Sequence, residues 1–538
     1  MGGHAAEPSR LSALQTAYFK QQMALWGNML ARESGQAASP VSGDSVGNAS
    51  RDKRFAGREW RDSGYHDYLR QVYQLNSRFL SDLVETAELD EPAKQRLRFY
   101  TRQLIDAMSP ANFAATNPEA LQLALDTKGE SLHAGIRQLI EDVELGRVSM
   151  TDESAFEVGR NLAVTPGEVV FENELIQLIQ YKPTTARVRK LPLLMVPPCI
   201  NKFYILDLQP ENSFVRYAVE QGNTVYMVSW RNITEDTLDA LSWDDYIADG
   251  VLKAVEVVRA ISKSEQINAL GFCVGGTLLS AALAVLRARG EERVASVTLL
   301  ATMLDFTYPG DIGVFIDESS VAAREAAIGK GGILSGKELA FVFSALRAND
   351  LVWSYVVNNY LKGKTPEAFD ILYWNADSTN LPGPMYCWYV RNMYLENKLR
   401  EPGSLAMCGV PVDLGAIRLP TYILATREDH IVPWKTAYLS TRHLKGDTRF
   451  VLGASGHVAG VINPPAKNRR SYWASDRLPG DADEWLANAT ESRGSWWSDW
   501  NAWLQGFSGG ERAAPKKLGN AKFKPIEPAP GRYVKVRV

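Results

Sequence analysis

The segment from Asn268 to Leu286, NALGFCVGGTLLSAALAVL, constrains the fold and chemistry of this chain more than any other. A short, apolar, strand-like run precedes Cys273, and Leu and Ala residues at helical spacing follow it. Gly271 and Gly275 flank the cysteine in a G-x-C-x-G pattern. A nucleophile on a sharp strand-to-helix turn needs neighbours without side chains, because the backbone there is strained and crowded. The pattern therefore predicts a nucleophile elbow with Cys273 at its tip.

The same turn predicts the electrostatic surroundings of the cysteine. The amide of Val274 and the N-terminus of the following helix point at the reacting centre, where they stabilise a developing oxyanion and favour thiolate. Two other interpretations apply to the segment. A free cysteine is more often a small buried hydrophobe, and the run from Ile267 to Leu286 is uncharged over the length of a membrane span. Three glycines near the middle of that run argue against a span.

Composition limits the class of protein. The 538 residues suffice for one large α/β domain with additions, or for two to three smaller domains. With 59 basic and 62 acidic residues, the charge balance gives no reason to expect nucleic acid as a partner. The four cysteines lie far apart without a metal-binding spacing such as C-x-x-C, so we expect a reducing cytoplasm and no metal site. We also expect no signal peptide and no transmembrane segment.

The N-terminal third of the chain has helical periodicity. Residues 1–50 are predicted to form an amphipathic helix, from Leu11 to Arg32, followed by a flexible linker of Ser, Gly, Ala and Pro. Such a helix is either a docking segment or a loosely packed end. Residues 51–165 are predicted to form an N-terminal helical domain, whose strongest amphipathic runs are YHDYLRQVYQLNSRFLSDLV and PAKQRLRFYTRQLIDAM.

Residues 166–303 and 419–538 have the pattern of an α/β core. Their strand-like runs are ELIQLIQY, LPLLMVPP, TVYMVSW, the elbow strand, VASVTLLAT, LPTYILAT and TRFVLGASGH. Apolar strands that alternate with helices are typical of a mostly parallel sheet covered on both faces. Residues 304–418 lack this alternation and contain aromatic helical runs, so we predict an inserted helical lid over the edge of the sheet. The final YVKVRV is consistent with an edge strand.

Titratable residues follow the two late strands. Asp429 lies in REDHIVPW after LPTYILAT, and His457 ends TRFVLGASGH. Both loops lie at the same sheet edge as Cys273, and the chain order of nucleophile, acid and histidine is that of the α/β-hydrolase triad. We expect His457 to take the thiol proton and Asp429 to orient His457 or to assist a substrate hydroxyl.

Neighbouring residues leave alternatives. Glu428 is the alternative acid, and His430 is a secondary candidate, although a histidine on a loop is more often a structural hydrogen-bonding group. A second oxyanion donor is expected in the loop after an early strand, here residues 196–202. A backbone amide near Ile200 or Asn201 fits that role, but two prolines in the loop are equally typical of a structural corner.

Together these motifs resemble those of polyhydroxyalkanoate synthases, most closely the class I enzymes. The resemblance covers residues 51–538 through VPPCINKFYILDL, SWRN, GFCVGGT, LDF, LYWNADSTNLPG, YLENKL, REDHIVPW and SGHVAGVINPP. It implies an α/β-hydrolase core with a lid over a buried site, with Cys273 as nucleophile, Asp429 as acid and His457 as base.

The resemblance also implies an activity. The expected enzyme polymerises short (R)-3-hydroxyacyl-coenzyme A into polyester and releases coenzyme A, with no cofactor other than the thioester substrate. It implies a homodimer at the surface of polyester granules in the cytoplasm, with granule-associated proteins as partners of the N-terminal region. Two alternatives remain open. One is a thioesterase or lipase, since this fold and triad do not choose between water and hydroxyl as acceptor; the other is a non-catalytic granule-binding scaffold.

Overall fold

A computed structural model of the chain describes residues 8–33, 52–234 and 238–538. Internal contacts divide them into two units. The helical unit comprises residues 8–33, 52–152 and 342–368, and the α/β unit comprises residues 153–234, 238–341 and 369–538. All but the first residue of the predicted linker lies outside the described residues.

Six helices form most of the helical unit. They are α1 (Pro8–Glu33), α2 (Glu59–Asp62), α3 (Gly64–Thr86), α4 (Glu91–Ala107), α5 (Pro118–Asp126) and α6 (Glu130–Leu145). The predicted N-terminal helix is present as α1 and packs on α3. The Tyr18 hydroxyl donates to Asn76 Oδ1 at 2.8 Å, and the Tyr18 ring lies 4.4 Å from that of Phe79. Ser63 and Asp90 cap α3 and α4 by accepting backbone amides.

The α/β unit is built on a large sheet. Its strands are β1 (Gly167–Glu172), β2 (Ile176–Tyr181), β4 (Leu193–Val196), β5 (Val225–Trp230), β6 (Ile267–Phe272), β7 (Val294–Leu300), β12 (Thr421–Thr426), β13 (Thr448–Gly453), β14 (Ser471–Ala474), β15 (Thr490–Arg493) and β17 (Glu527–Pro528). Short pairs lie outside it: β3 (Arg187–Arg189) with β16 (Glu511–Ala513), β8 (Ile333–Leu334) with β9 (Leu381–Pro382), and β10 (Ala406–Met407) with β11 (Val410–Pro411).

The order of the large sheet explains its sequence pattern. The order is β15-β14-β13-β12-β7-β6-β4-β5-β2-β1-β17. The central strands from β13 to β5 run parallel, and antiparallel strands extend the sheet on both sides. Parallel strands buried on both faces are almost wholly apolar, as the sequence predicted for this region. The strand-to-helix loops after β6, β12 and β13 therefore meet at one edge.

The remaining helices of the chain follow in the α/β unit, except that α12 continues into the helical unit at residue 342. They are α7 (Phe214–Glu220), α8 (Trp243–Asp245), α9 (Lys253–Ser262), α10 (Val274–Ala288), α11 (Glu318–Ile328), α12 (Gly336–Leu346), α13 (Asp370–Ala376), α14 (Gly383–Tyr389), α15 (Trp434–His443), α16 (His457–Val461), α17 (Ala482–Asn488) and α18 (Trp496–Gln505). A π-helical segment, Tyr246–Leu252, joins α8 to α9, and another, Val390–Leu395, follows α14. The first thirteen residues of α10 are buried, which places the elbow helix in the core.

The predicted lid segment, residues 304–418, is divided between the two units. Residues 342–368 belong to the helical unit, where the Asn359 amide donates to the Ser149 carbonyl at 2.7 Å and the Tyr360 hydroxyl donates to Asp142 at 2.6 Å. The remainder belongs to the α/β unit. Helical periodicity identifies an apolar face but not the partner of that face, which is why the sequence did not indicate this division.

Two further segments are settled by the structure. The prediction of an edge strand in YVKVRV is wrong, since Tyr533–Lys535 forms a 3₁₀ turn and β17 occupies that sheet edge. The carbonyl of Val536 instead accepts the side chains of Lys202 and Asn232. Among the described residues no helix combines the length and apolar character that a membrane span requires. Residues 268–286 lie in β6, the elbow turn and α10.

Candidate active site

Cys273 lies at the turn between β6 and α10 in a conformation that the surrounding glycines permit. Its φ of 53° is in the left-handed region, which residues other than glycine rarely adopt. A Cβ on Gly271 would lie 2.4 Å from the Gly276 Cα, and one on Gly275 would lie 2.3 Å from the Val196 carbonyl oxygen. The flanking glycines are therefore required by backbone contact, as the sequence pattern predicted.

Asp429 occupies the loop after β12 with its carboxylate fully engaged. Oδ1 accepts the amides of Ile431 and Val432, both at 2.9 Å. Oδ2 accepts the Thr426 hydroxyl at 3.1 Å and faces His457 Nδ1 at 2.7 Å. Because an ionised carboxylate only accepts hydrogen bonds, Nδ1 carries the proton of this contact. The other ring nitrogen, Nε2, is left for a second partner.

His457 begins α16 and interacts with both Asp429 and Cys273. Burial alone would lower its pKa, but electrostatic interactions and hydrogen bonds with the side chains of Asp429 and Cys273 raise the pKa well above the ordinary value. The imidazole also stacks on the ring of Phe272, with centroids 5.5 Å apart. The structure thus brings Cys273, His457 and Asp429 together at the sheet edge where the sequence placed them.

Two backbone amides are available near the turn. The Val274 amide is the first of α10, and within residues 8–33, 52–234 and 238–538 it has no acceptor. The same holds for the amide of Ile200, in the loop after β4. That loop lies against the elbow, since a Cβ on Gly275 would lie 2.4 Å from the Pro197 carbonyl oxygen. Burial and the charge of Cys273 raise the pKa of Cys199 in the same loop. These are the two donors predicted for an oxyanion.

The alternative candidates Glu428 and His430, and a further histidine, His443, are placed differently. The Glu428 side chain is exposed, whereas the neighbouring Asp429 is buried against the imidazole. His430 is half-buried and follows Asp429 directly on the loop. His443 belongs to a second histidine–carboxylate pair, in which its Nε2 lies 2.9 Å from Asp305 Oδ2. Burial would raise the pKa of Asp305, but hydrogen bonds from His443, Thr307 and Asn397 hold it well below the usual range.

An aromatic cluster next to Cys273 was not singled out by sequence reasoning. Tyr389 and Tyr394 are half-buried, and burial together with the charge of Cys273 raises both of their pKa values. The ring of Tyr394 lies 4.8 Å from Phe306 and 5.5 Å from Tyr389, which stacks on Trp243 at 5.0 Å. The tyrosines come from the run YCWYVRNMYLENKL, where aromatic content was visible but no spacing rule selected the two residues that approach the thiol.

Comparisons with protein families cover most of the chain. Residues 51–218 match the family described as poly-beta-hydroxybutyrate polymerase (PhaC) N-terminus, and residues 192–464 match the alpha/beta hydrolase fold. The second match confirms the predicted α/β-hydrolase core.

Individual relatives agree with the family matches. The chain is 56% identical to the poly(3-hydroxyalkanoate) polymerase subunit PhaC of Cupriavidus necator, across 100% of this chain and 90% of the relative. It is 40% identical to the same subunit of Rhizobium meliloti, across 99% and 87%. Among solved structures, the monoacylglycerol lipase of Paleococcus ferrophilus aligns with 62% of this chain and 98% of its own, at 13% identity and a TM-score of 0.35.

Proposed function

The chain belongs to the poly(3-hydroxyalkanoate) polymerase family, and on this premise we propose that it polymerises (R)-3-hydroxyacyl-coenzyme A through an acyl thioester on Cys273. The proposed substrate is short, such as 3-hydroxybutyryl-coenzyme A, and coenzyme A is released. The observation that supports the mechanism most is the cysteine at a strained turn beside an imidazole that interacts with it and is oriented by a buried carboxylate. No cofactor is proposed beyond the substrate itself.

Acylation begins with proton transfer from the Cys273 thiol to His457 Nε2. The thiolate attacks the thioester carbonyl, and the amides of Val274 and Ile200 donate to the oxyanion that forms. The intermediate collapses, the bond to the coenzyme A sulfur breaks, and the departing thiolate takes the proton from His457. One thioester replaces another, so the step is nearly balanced in energy and suits a thiol nucleophile.

Elongation requires a base for a hydroxyl group. Neutral His457 removes the proton from the 3-hydroxyl of an incoming acyl-coenzyme A, and Asp429 offsets the positive charge that the imidazole gains. The oxygen attacks the acyl carbonyl on Cys273, so an ester bond forms, the thioester breaks and the cysteine recovers the proton. The lengthened chain returns to Cys273 by a further acylation that releases coenzyme A.

Water must be excluded, because it would hydrolyse the same thioester. The rings of Phe306, Tyr389 and Tyr394 pack on one another, and an aromatic cluster of this kind supports exclusion of water from the thioester. All three belong to the segment predicted as a lid, residues 304–418. We therefore propose that this part of the insertion shields the acyl-enzyme.

The proposal extends to the cellular setting. We place the enzyme at the surface of polyester granules in the cytoplasm, as a homodimer, with granule-associated proteins as partners of the N-terminal region. Several large apolar side chains of the helical unit are exposed, among them Phe19, Met23, Leu125 and Val143. Exposed apolar surface of this kind supports contact with a hydrophobic polymer.

The test follows thiol release and turbidity together with 3-hydroxybutyryl-coenzyme A. Wild type, Cys273→Ala and Cys408→Ala are compared, the last as a control for losing a half-buried cysteine on the β10–β11 turn. We expect thiol and turbidity to rise with wild type and Cys408→Ala and neither to rise with Cys273→Ala. Thiol release in a clear solution would identify a thioesterase instead. No thiol release from folded wild type would support the non-catalytic scaffold.

A further inference from the structure

An open cleft at the edge of the large sheet is lined almost entirely by charged groups. It has a volume of about 480 Å³, and its lining residues are Arg469, Arg470, Ser471, Glu491 and Arg493. Ser471 on β14 pairs directly with Arg493 on β15, so the two strands bring their arginines to one place. Three guanidinium groups thus share the cleft with a single carboxylate.

Two arginines of this cleft have no carboxylate partner in the described part of the chain. Arg469 and Arg493 are exposed and form no ion pair within the described part of the chain. By comparison, Arg449 on β13 pairs with Asp499 at 2.6 Å. The single carboxylate of Glu491 therefore offsets only part of the positive charge that lines the cleft.

Arg470 is half-buried and poorly compensated. Its guanidinium donates to the carbonyl oxygens of Ala459 and Ile462, which are neutral acceptors. Burial lowers the pKa of Arg470, and the charge of Glu428 opposes that shift. An anion bound in the cleft would supply the missing negative charge.

Residues of the cleft form hydrogen bonds with the segment that carries His457, the proposed base. Ala459, which accepts from Arg470, lies two residues after His457 on α16, a rise of about 3 Å along the helix. The Ser471 carbonyl accepts the amide of Ala454 at 3.0 Å, in the loop that leads to His457. The residues that line the cleft are therefore hydrogen-bonded to the segment that carries His457.

We propose that this cleft binds the nucleotide phosphates of the acyl-coenzyme A substrate. The inference rests on the proposed function. Coenzyme A carries a 3′-phosphate and a pyrophosphate at the end of its pantetheine arm, which extends on the order of 16 Å if three of its bonds span what one extended residue spans. Arginine forks match phosphate oxygens in charge and geometry. The pantetheine arm would then carry the thioester to Cys273 while the nucleotide stays in the cleft.

A competing explanation is that these charges only protect the sheet edge. β15 is the outermost strand on this side, and charged side chains on edge strands prevent pairing with other chains. That role accounts for Glu491 and Arg493 on β15, but Arg469 and Arg470 precede β14 and lie off the exposed edge. The two explanations make different kinetic predictions.

The first experiment compares two substrates with wild type, Arg469→Ala, Arg493→Ala and the double variant. One substrate is 3-hydroxybutyryl-coenzyme A and the other is 3-hydroxybutyryl-pantetheine, which lacks the nucleotide. We expect the preference for the coenzyme A thioester, as a ratio of kcat/KM values, to fall about tenfold with each arginine removed. Arg477→Ala, an exposed arginine beyond β14 that does not line the cleft, should keep the wild-type ratio. A ratio within twofold of wild type in the double variant overturns the proposal and leaves edge protection.

The second experiment measures binding without turnover. Calorimetric titration with adenosine 3′,5′-bisphosphate should give an affinity that weakens about tenfold in each arginine variant and weakens with added salt. Inorganic phosphate at the same concentration should bind far more weakly, which separates recognition of the nucleotide from attraction of any anion. Equal affinity in wild type and the double variant refutes the site. Because this titration needs no catalysis, it still decides the inference if wild type shows no polymerase activity.

Discussion

Replacing Asp429 with asparagine changes the proton on His457 while preserving the shape of the site. The side-chain oxygen of Asn can still accept the backbone amides of Ile431 and Val432, whose nitrogens lie 2.9 Å from Asp429 Oδ1. The amide nitrogen would then face His457 Nδ1, at the 2.7 Å contact now made by Oδ2. Two donors cannot share that contact, so Nδ1 becomes an acceptor and the ring proton moves to Nε2. The nitrogen that faces Cys273 loses its lone pair.

This rearrangement affects the two half-reactions unequally. Acylation then depends on thiolate that forms without the base, and an ordinary thiol with a pKa of about 8.5 is about 3% ionised at pH 7, which predicts a loss of roughly 30-fold. Elongation must remove a proton from a hydroxyl, which does not ionise by itself at this pH. Loss of a positioned general base costs about 10² to 10⁴ in such a step. Some acylation therefore survives in Asp429→Asn, and elongation falls much further.

Rapid-quench kinetics separate the two steps. The assay measures the first equivalent of thiol released per chain and the later growth of turbidity, with Glu428→Gln as a control that makes the same carboxylate-to-amide change at an exposed neighbour. We expect a slowed but complete first release in Asp429→Asn, almost no polymer, and wild-type behaviour in Glu428→Gln. Equal losses in both steps would show that the carboxylate does not act through the tautomer of His457. A defect confined to Glu428→Gln would show that Glu428, and not Asp429, is the acid of the triad.

Two further predictions concern stability. Because the pKa of His457 is raised in the folded protein, protonation stabilises the fold below the unfolded value of about 6.5, and that stabilisation is lost as pH rises through the folded pKa. The free energy of unfolding, measured with urea across that range, should therefore fall with pH in wild type but not in His457→Gln. Parallel profiles for the two proteins would contradict this prediction. A Cβ on Gly276 would lie 2.0 Å from Thr302 Oγ1, so Gly276→Ala should lower the free energy of unfolding by about 1–3 kcal/mol, whereas Gly480→Ala, with nothing within 4 Å, should change it by less than about 0.5 kcal/mol. A Gly276→Ala protein as stable as Gly480→Ala would show that the elbow tolerates a side chain.

The arrangement of Cys273, Asp429 and His457 could be anticipated because it depends on rules of chain topology. Loops after parallel strands meet at one sheet edge, so three motifs far apart in sequence were expected together. The glycine pattern predicted the turn for a similar physical reason. A Cβ on Gly275 would lie 2.3 Å from a backbone carbonyl oxygen, so only glycine fits there. The choice of Asp429 over Glu428 depended on the family resemblance, because adjacent carboxylates look alike in sequence and differ only in burial.

Other features left no periodic signal. β14 (SYWA) and β15 (TESR) are short and at most half-buried, so their sequences lack the apolar alternation that reveals a strand. YVKVRV has that alternation, yet side chains of Lys202 and Asn232 take a backbone carbonyl that a sheet would need. The division of residues 304–418 between two units, and the approach of Tyr389 and Tyr394 to Cys273, depend on tertiary packing that no local pattern encodes.

The most direct test of the mechanism is the site of covalent acylation. Wild type is mixed briefly with 3-hydroxybutyryl-coenzyme A, quenched in acid, digested with trypsin and analysed by mass spectrometry. The peptide Ser264–Arg287 contains Cys273 as its only cysteine, and Leu191–Lys202 contains Cys199 as its only cysteine, so the two thiols are resolved. We predict hydroxybutyryl units, single and in short chains, on the first peptide. Acyl groups on Cys199, or polymer formed while the Cys273 peptide stays unmodified, would contradict the account.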